Sequence, residues 1–459
     1  MYLYNVPCLL PERGAAHLSI ITPTTNLLVR TGLLHLAFVA VTLATAQAQT
    51  PSFLHTFGSV ANDGASPVGP LTLSGSKLFG MTIGGGTGSG TIFSMNTDGS
   101  GYSVLRSLAP IADGINPFGS LSLSGSKLYG MANDGGSSNF CGTIFSMNTN
   151  GSGFSILIRF AGGSTDGSRP FGSLTLFGSQ LYGMTYYGST ANQGTVFRLN
   201  TDGSGFSLLK SLNTAEGSFP RSSSTLTLAD SKLYGMTQGG GANNRGVIFS
   251  MNTDGSGYSL LRSLNTADGI YPEAALTLAG SKIYGLTPSG GSNGSGTIFS
   301  LNTDGSGFSV IKNFAGGAND GANPYGSLTL VGSTFYGMTY NGGASDKGTL
   351  FKIEADGSGF SVLDSFSGGP TEGADPYSSL TLSTDGNTLY GVTTKGGTND
   401  NGVVFTIAVP EPSSFALLAL SCTAVVLTIR RRVTPVERDR RNVVTCPLRA
   451  PVIASGSSA

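Results

Sequence analysis

The sequence predicts an all-β protein: a seven-bladed β-propeller of four-stranded antiparallel blades, closed by its N-terminal strand. A segment with strand composition recurs at a nearly constant period, and its turns have the chemistry of β-hairpins. The repeat region also starts with the strand that its last copy lacks. A phenylalanine marks the period, with gaps of 52, 52, 52, 50, 52 and 54 residues. Its copies are Phe93, Phe145, Phe197, Phe249, Phe299, Phe351 and Phe405.

One repeat shows how a blade is built. Strands are predicted at residues 71–73, 77–82, 91–96 and 102–108. Ser-Gly and Asp-Gly turns join the first pair and the last pair, and glycine supplies the positive φ that such turns need. The Gly-rich loop at 83–90 joins the second strand to the third. The repeat region shows no 3.6-residue period, so we expect strands and no helices there.

The ends of the repeat region predict a closed ring. The second and third strands occur seven times, but the last copy stops at Ile407 without a fourth strand. Residues 52–57 match the fourth strand at 103–108 position for position. A ring in which this N-terminal strand completes the last blade leaves no open sheet edge, whereas an open solenoid gives no reason for the arrangement.

The order of strands within a blade follows from their charges. The fourth strand carries a charged or titratable side chain at one recurring position, which suits an exposed outer edge. These side chains are His55, Arg106, Lys210, Arg262, Lys312 and Asp364. The first strand is therefore predicted to be innermost. Gly80 and its copies in the second strand predict places where neighbouring blades approach too closely for a Cβ.

Two sets of long loops share one face, which we call the long-loop face. One set carries Asp/Glu-Gly-x-x-Pro between blades, with acids at Asp63, Asp113, Asp166, Glu216, Asp268, Asp320 and Glu372. Such acids could bind Ca²⁺, or each could cap its own turn. Every blade has one, and the several alternating oxygen ligands of calcium loops are missing. We favour the turn interpretation and predict no cofactor and no metal, with Ca²⁺ as the alternative.

Loop residues that differ between blades are better ligand candidates, because function concentrates on loops held by a rigid scaffold. The loops joining second to third strands supply Tyr186, Tyr187, Tyr340, Asp134 and Lys395. The chain has no Trp, which weakens a sugar-stacking site without excluding tyrosine platforms.

Cysteine and histidine are too scarce for most catalytic or metal sites. Cys8, Cys422 and Cys446 lie in the terminal segments, leaving Cys141 and His55 in the repeat region. A disulfide framework and a cysteine metal site are excluded there, and we interpret His55 as a solvated strand residue. The near-uniform blades also lack the concentrated cluster that a lyase or glycosidase needs. We predict no catalytic residues, with a secreted polysaccharide-acting lyase or glycosidase as the alternative.

The amino-terminal residues 1–48 have the form of a secretory signal peptide with a long n-region. Arg30 precedes an apolar run at 33–41, and Ala46-Gln47-Ala48 fits the small-x-small cleavage rule. The propeller is assigned to residues 49–408. Basic residues concentrate beyond residue 429, which leaves the repeat region weakly acidic and unsuited to nucleic acid.

After Ala408 the composition changes. Pro-Glu-Pro leads into an apolar run at 415–429 that a cluster of arginines closes, a marginal membrane span with its cations on the cytoplasmic side. Residues 409–432 resemble the PEP-CTERM sorting signal of Gram-negative bacteria. The residues that carry the resemblance are Pro410, Glu411, Pro412, Arg430, Arg431 and Arg432. The basic tail at 433–459 is predicted to be disordered, and it extends past the point where such signals normally end.

The PEP-CTERM resemblance implies export through the Sec machinery and transient anchoring in the inner membrane. It also implies processing by an exosortase-type enzyme and delivery to the cell surface or extracellular matrix. The repeat at 52–408 is similar to the Gloeo/Verruco (GloVer) repeat, through Leu-Tyr-Gly-Met-Thr, Gly-Thr-Ile-Phe and Asp-Gly-Ser-Gly-Phe. That family implies a surface protein without an assigned activity. We therefore expect a non-catalytic protein that acts in adhesion, or binds a glycan or protein through the long-loop face. Extracellular polysaccharide is its candidate partner, and a purely structural surface-layer role is a third reading.

Overall fold

A computed structural model describes residues 50–409, except residues 138 and 222–224. Every regular element in this described part is a β-strand, and the strands form seven four-stranded antiparallel sheets. The predicted seven-bladed β-propeller is confirmed. The predicted signal peptide, sorting signal and basic tail lie outside the described residues.

Within each blade the strands run in sequence order from the innermost to the outermost, each about where the repeat predicts it. Blade 1 comprises Thr72–Ser74, Lys77–Thr82, Thr91–Asn96 and Ser103–Ser107. Blade 2 comprises Ser122–Ser124, Lys127–Ala132, Thr143–Asn148 and Ser155–Arg159. Blade 3 comprises Ser168–Phe177, Gln180–Tyr187, Thr195–Asn200 and Ser207–Ser211. Blade 4 comprises Thr227–Ala229, Lys232–Thr237, Val247–Asn252 and Ser259–Ser263.

The remaining blades follow the same plan, except that the last takes its outermost strand from the start of the chain. Blade 5 comprises Thr277–Ala279, Lys282–Thr287, Thr297–Asn302 and Ser309–Asn313. Blade 6 comprises Thr329–Val331, Thr334–Thr339, Thr349–Glu354 and Ser361–Ser365. Blade 7 comprises Thr381–Leu382, Thr388–Thr393, Val403–Ala408 and Ser52–Thr56. Two-residue strand pairs tie linkers to neighbouring loops on the long-loop face: Gly64–Ala65 with Gly84–Gly85, Gly321–Ala322 with Asn341–Gly342, and Gly373–Ala374 with Lys395–Gly396.

The ring closes as the sequence predicts. Ser52–Thr56 pairs antiparallel with Val403–Ala408, with Phe53 opposite Phe405 and His55 opposite Val404. Phe57, just beyond the closing strand, is completely buried in the core between blades 7 and 1. Residues far apart in the sequence therefore share one sheet and one core.

The innermost strands are joined around the central channel by a ring of hydrogen bonds. A Ser or Thr hydroxyl of each blade donates to a leucine carbonyl of the next blade, and blade 7 donates back to blade 1. The pairs are Thr72–Leu121, Ser122–Leu174, Thr175–Leu226, Thr227–Leu276, Thr277–Leu328, Thr329–Leu380 and Thr381–Leu71. The channel inside has a cavity volume of ≈ 420 Å³ and is lined by residues such as Ser173, Ser327 and Leu380.

The core lies between adjacent blades. Phe79 and Ile92 of blade 1 pack with Phe145 and Met147 of blade 2 in one buried cluster, and the other blade pairs repeat this arrangement. The crowding expected at Gly80 is present, but its source differs from the prediction. A Cβ at Gly80 would collide with the Phe93 ring of the same blade, which lies directly opposite in the ladder. The missing side chain therefore makes room for a phenylalanine within the blade rather than for a neighbouring blade.

Candidate functional site

Five of the seven linker acids are bound at the outer edge of the propeller by a basic side chain from the preceding fourth strand. Arg106 Nη2 lies 2.7 Å from Asp113 Oδ1, and the backbone N–H of Ala109 donates to the same carboxylate at 3.0 Å. Four further pairs repeat the geometry at 2.7 to 3.1 Å: His55–Asp63, Lys210–Glu216, Arg262–Asp268 and Lys312–Asp320. In the part of the chain that the structure describes, no group of three or more His, Cys, Asp or Glu could hold a metal ion.

An aromatic ring from the next blade covers each of these cations. The Arg106 guanidinium lies 3.8 Å from the centre of the Phe154 ring. Lys210, Arg262 and Lys312 lie 4.5, 4.3 and 4.0 Å from the rings of Tyr258, Phe308 and Phe360. We call the carboxylate, cation and aromatic ring the outer clamp. It ties a fourth strand to the linker that follows it through an ion pair, and to the next blade through a cation–π contact.

His55 occupies the cation position of the clamp that follows the closing strand. Its ring stacks on Tyr102 with centroids 3.7 Å apart, and its Nε2 is 3.1 Å from Asp63 Oδ2. The side chain is only 9% exposed, so the interpretation of His55 as a solvated residue is wrong. The pattern missed this because the partner acid and ring come from the following linker and blade.

Two clamps are incomplete. Blade 2 has Ile158 at the cation position, and Asp166 Oδ1 is buried without a hydrogen-bond partner among the described residues. Blade 6 has Asp364 there. Burial, and secondarily the nearby carboxylate of Glu372, raise the pKa of Asp364 above its ordinary value.

The same linkers supply the inner part of the long-loop face. The residue before the linker proline has φ between 53 and 59° in every blade, although none of these residues is glycine. Arg169, Phe219 and Tyr271 are among them, and the left-handed region is costly for side chains of that size. The linkers are thus held in one strained shape, which places the residue after the proline at the start of the innermost strand.

The residue after the proline differs strongly between blades: Val68, Phe118, Phe171, Arg221, Glu273, Tyr325 and Tyr377. Because each precedes an innermost strand, or in the case of Phe171 lies near the start of one, together they surround the long-loop opening of the central channel. Tyr186, near the end of the second strand of blade 3, contacts them, as do Gln238 and Tyr340 from the loops that follow the second strands of blades 4 and 6. We call these ten residues the mouth.

One side of the mouth is aromatic. The ring centroids of Phe118 and Phe171 are 5.1 Å apart, and those of Phe171 and Tyr186 are 5.7 Å apart. Tyr186 in turn contacts Phe219 at 5.2 Å and Tyr187 at 4.5 Å. These rings form a continuous arc from blade 2 to blade 4.

The opposite side carries a tyrosine cluster. Tyr325 and Tyr377 stack with centroids 4.5 Å apart and an interplanar angle of 13°. Tyr340 stands almost perpendicular to both, at 5.5 and 6.2 Å. Burial is the main cause that raises the pKa of the Tyr325 hydroxyl and of the Tyr340 hydroxyl. The hydroxyls of Tyr325 and Tyr340 therefore remain protonated at ordinary pH.

A polar centre lies between the two aromatic groups. The Glu273 carboxylate accepts hydrogen bonds from Tyr377 Oη at 2.6 Å and from Gln238 Nε2 at 2.9 Å. Arg221 Nη1 is 4.0 Å from the same carboxylate. Glu273 is only 5% exposed, so a buried acid links blades 4, 5 and 7 across the mouth. Burying a carboxylate is costly unless its oxygens are bonded, and the hydrogen bonds from Tyr377 and Gln238 satisfy them while Arg221 adds a nearby positive charge.

Two more ion pairs lie at the rim. Arg169 Nε is 3.1 Å from Asp134 Oδ1, and Lys395 Nζ is 3.3 Å from Asp375 Oδ2. The Asp375 carboxylate raises the pKa of Lys395 through that hydrogen bond and through its charge. Asn133, which occupies the position of Tyr186 in blade 2, has a buried Nδ2 without a hydrogen-bond partner in the described residues.

Comparison with known families places the repeat region. The model of the Gloeobacter/Verrucomicrobia repeat matches residues 38–227 and 180–405. The chain belongs to this repeat family. The PEP-CTERM protein-sorting motif matches residues 408–432, which implies export towards the cell surface by membrane-anchored processing, with exosortase as the recognising enzyme. Among residues 50–409, as far as described, no helix is long and apolar enough to cross a membrane. The predicted span at 415–429 lies outside the described residues.

No curated protein matches this Gloeobacter/Verrucomicrobia repeat protein. Among solved structures, an oligogalacturonate lyase in complex with manganese is 10% identical with a TM-score of 0.49, over 80% of this chain and 97% of the lyase. A GH74 enzyme of Niastella koreensis is 16% identical with a TM-score of 0.49, over 78% of this chain and 53% of the enzyme. An oligogalacturonate lyase of Vibrio parahaemolyticus is 10% identical with a TM-score of 0.47, over 80% of this chain and 95% of the lyase.

The residues predicted from the sequence fall in or around the mouth of this repeat protein. Tyr186 and Tyr340 belong to the mouth, and Tyr187 packs behind Tyr186. Asp134 and Lys395 are at the rim, each in an ion pair. Their roles in binding stay predictions. Eight mouth residues were missed: Val68, Phe118, Phe171, Arg221, Gln238, Glu273, Tyr325 and Tyr377. The signal was present, because the residue after the linker proline changes in size and charge from blade to blade while the rest of the motif is repeated.

Proposed function

We propose that this chain is an exported, non-catalytic repeat protein of the cell surface or extracellular matrix. It acts in adhesion, or binds a glycan or a protein, through the long-loop face of the propeller. The observation that carries the proposal is the contrast between the uniform blades and the mouth. Ten side chains converge there in a combination found in no single blade, with aromatic surface on two sides and a bonded carboxylate between them.

The mouth has the composition of a ligand site. Binding sites combine apolar and aromatic surface with a few well-placed polar groups that fix orientation. Tyr325, Tyr340 and Tyr377 offer rings and hydroxyls together, and Arg221 and Glu273 offer a donor and an acceptor side by side. The central channel below has room for part of a ligand, with a cavity volume of ≈ 420 Å³.

The test is a binding screen of the exported domain, residues 49–408, against a glycan array and against surface proteins of the source cells. Wild type is compared with Arg221→Ala and Tyr377→Ala in the mouth. Arg198→Ala, which removes an arginine outside the mouth, is the matched control. We expect both mouth variants to lose binding that the control retains. Binding that survives in all three variants would place the site elsewhere.

The runner-up is a secreted polysaccharide-acting enzyme, either a lyase or a glycosidase, and one observation favours it. Such an enzyme needs acidic, basic and tyrosine side chains concentrated at one place. Arg221, Glu273 and Tyr377 meet that description in blades 4, 5 and 7. Glu273→Gln decides between the two functions. A catalytic site would release reducing or unsaturated ends from polysaccharide with wild type, and the variant would bind without releasing them. A binding site would release none with either protein.

We propose the following processing for the regions outside the described residues. The signal peptide at 1–48 is removed after Sec export. Residues 409–432 anchor the chain transiently in the inner membrane until an exosortase-type enzyme recognises Pro410, Glu411 and Pro412. The arginine cluster and the basic tail at 433–459 leave with the removed segment. Mass spectrometry of the surface-extracted protein tests this, and a mature chain that still contains residues 433–459 would contradict it.

A further inference from the structure

We infer that the mouth binds an extended, electrically neutral glycan chain. The inference rests on the proposed function and adds to it the class of ligand. It depends on three features of the mouth and rim: the balance of charge, the spacing of the aromatic groups, and the hydrogen bonds available between them.

The charges of the mouth and its rim compensate one another. Arg169 faces Asp134, Arg221 faces Glu273, and Lys395 faces Asp375. Arg245, on a neighbouring loop, lies over the Tyr271 ring at 5.3 Å and donates to its hydroxyl. A polyanion needs an excess of cations along its path, and a polycation needs an excess of acids. Three matched pairs and the further cation Arg245 offer no such excess, so this surface favours a neutral ligand over a polyanion or a polycation.

Matched pairs are nevertheless well suited to hydroxyl groups. A sugar hydroxyl both donates and accepts, so adjacent hydroxyls can bond to a carboxylate and to an arginine at the same time. Glu273 with Arg221 and Gln238 forms such a set, and the Tyr377 hydroxyl adds another polar group. A hydroxyl-rich ligand can enter this network by exchanging one hydrogen bond for another.

The aromatic groups indicate a chain rather than a single sugar. The arc of Phe118, Phe171 and Tyr186 lies on one side of Glu273, and the cluster of Tyr325, Tyr340 and Tyr377 lies on the other. The apolar faces of two different sugar rings could cover them while a ring between them bonds to Glu273. Gln238 of the polar centre also lines a second pocket of ≈ 290 Å³, together with Phe219, Asn244 and Tyr271. The surface is therefore longer than one sugar.

The experiment is titration calorimetry with the exported domain, residues 49–408. The neutral probes are hexasaccharides of glucose, mannose, galactose, xylose and N-acetylglucosamine, with their monosaccharides. The charged probes are a galacturonate hexamer and a chitosan hexamer. Each titration is run at about 0.05 M and about 0.5 M salt, where screening lengths differ severalfold.

We expect at least one neutral hexasaccharide to bind, with a dissociation constant that changes less than about twofold between the two salt concentrations. Its monosaccharide should bind at least about tenfold more weakly, since it reaches one aromatic group at most. Tyr377→Phe should weaken the hexasaccharide about fivefold or more by leaving Glu273 with one donor fewer. Tyr102→Phe removes a tyrosine hydroxyl from an outer clamp and should leave the affinity unchanged.

The other outcomes separate the inference from the proposed function. Tight binding of the galacturonate or chitosan hexamer that falls steeply with salt would overturn the neutral ligand and leave the mouth as a binding site. Equal affinity for hexasaccharide and monosaccharide would overturn the extended chain. A surface protein whose binding is abolished by Arg221→Ala, with no glycan bound, would replace the glycan with a protein. No ligand sensitive to the mouth variants would remove the proposed function as well.

Discussion

The outer clamp and the mouth are built from the same linkers, yet they differ in how strictly the blades repeat them. Each Asp/Glu-Gly-x-x-Pro linker gives its acid to the outer edge and the residue after its proline to the mouth. At the edge, Asp113 and Asp268 meet an arginine and a ring from the next blade in nearly the same geometry. At the mouth, the equivalent residues are Phe118 and Glu273, which have nothing in common.

This difference separates scaffold from site. When most blades repeat a contact between residues of the repeat itself, its contribution to the stability of the ring is enough to account for it. Stability does not account for a position where the backbone has the same conformation in every blade but the side chain differs. The strained φ before the proline shows that the backbone there is held constant. The variation of the side chain then points to an external partner.

Opening the ring should have the largest effect, because the clamp and the mouth both depend on closure. Phe57→Ala removes a fully buried ring from the core between blades 7 and 1. We expect a loss of about 3–5 kcal/mol in the free energy of unfolding. Phe177→Ala removes a ring that is 44% exposed, and should cost less than about 1 kcal/mol. Urea unfolding measures both, and equal losses would contradict closure by the N-terminal segment.

Removing one arginine from the outer clamp and, in a second variant, one from the mouth tests the comparison directly. Arg262→Ala should lower the free energy of unfolding by about 1–3 kcal/mol, since it leaves Asp268 buried without its cation, and should leave ligand affinity intact. Arg221→Ala should do the reverse, with weaker ligand binding and a change in stability below about 1 kcal/mol. The measurements are urea unfolding and calorimetry on both variants. A variant that lowers both the free energy of unfolding and the ligand affinity would show that the outer clamp and the mouth do not have separate roles.

Most of the fold could be predicted because it depends on short sequence patterns that recur in every repeat. The Asp-Gly turns, the alternation around Phe93 and the missing fourth strand after Ile407 each depend on residues close together in the sequence. The ring closure could be predicted as well, because Ser52–Thr56 resembles the fourth strands of the other blades. Only the cause of crowding at Gly80 was misjudged, since the pairing of Gly80 with Phe93 depends on strand register.

The site was only partly predictable, because its residues come from different blades. The contact between Tyr377 and Glu273 joins residues 104 positions apart. No local pattern brings them together. The same applies to His55, whose partners Asp63 and Tyr102 come from the following linker and the next blade. The sequence alone does show that the residue after each linker proline varies from blade to blade, and this variation could have indicated the site.

Completing a defective clamp should give a smaller effect with the opposite sign. In blade 6, Asp364 stands where four other blades have Arg or Lys, with the Glu372 carboxylate nearby. Asp364→Lys replaces repulsion between two acids with an ion pair at a partly exposed site. We expect a gain of about 0.5–1 kcal/mol in the free energy of unfolding at pH 7. Leu260→Lys places a lysine on the outer strand of blade 4, and should give no gain.

The smallest predicted effect is on the pH dependence of the free energy of unfolding. It should have opposite signs for Asp364 and for an acid whose hydrogen bonds are all formed locally. Burial and Glu372 raise the folded-state pKa of Asp364, so the folded protein binds this proton more tightly than the unfolded chain does. Its contribution is therefore fully present below the ordinary value of 3.8 and is lost as pH rises through the higher folded pKa. Asp364→Asn cannot lose that proton. Relative to wild type, the variant should gain stability as pH rises above that range.

Asp98 provides the opposite sign. Its carboxylate accepts hydrogen bonds from the hydroxyl and the backbone N–H of Ser100, which lower its pKa. The stabilisation is present above the ordinary pKa and is lost as pH falls through the folded value. Asp98→Asn should therefore differ from wild type at neutral pH by a loss, and the loss should shrink in acid. Urea unfolding of both variants from acid to neutral pH measures the two slopes. Slopes of the same sign would contradict the assignment of Asp364 as an acid without a cation.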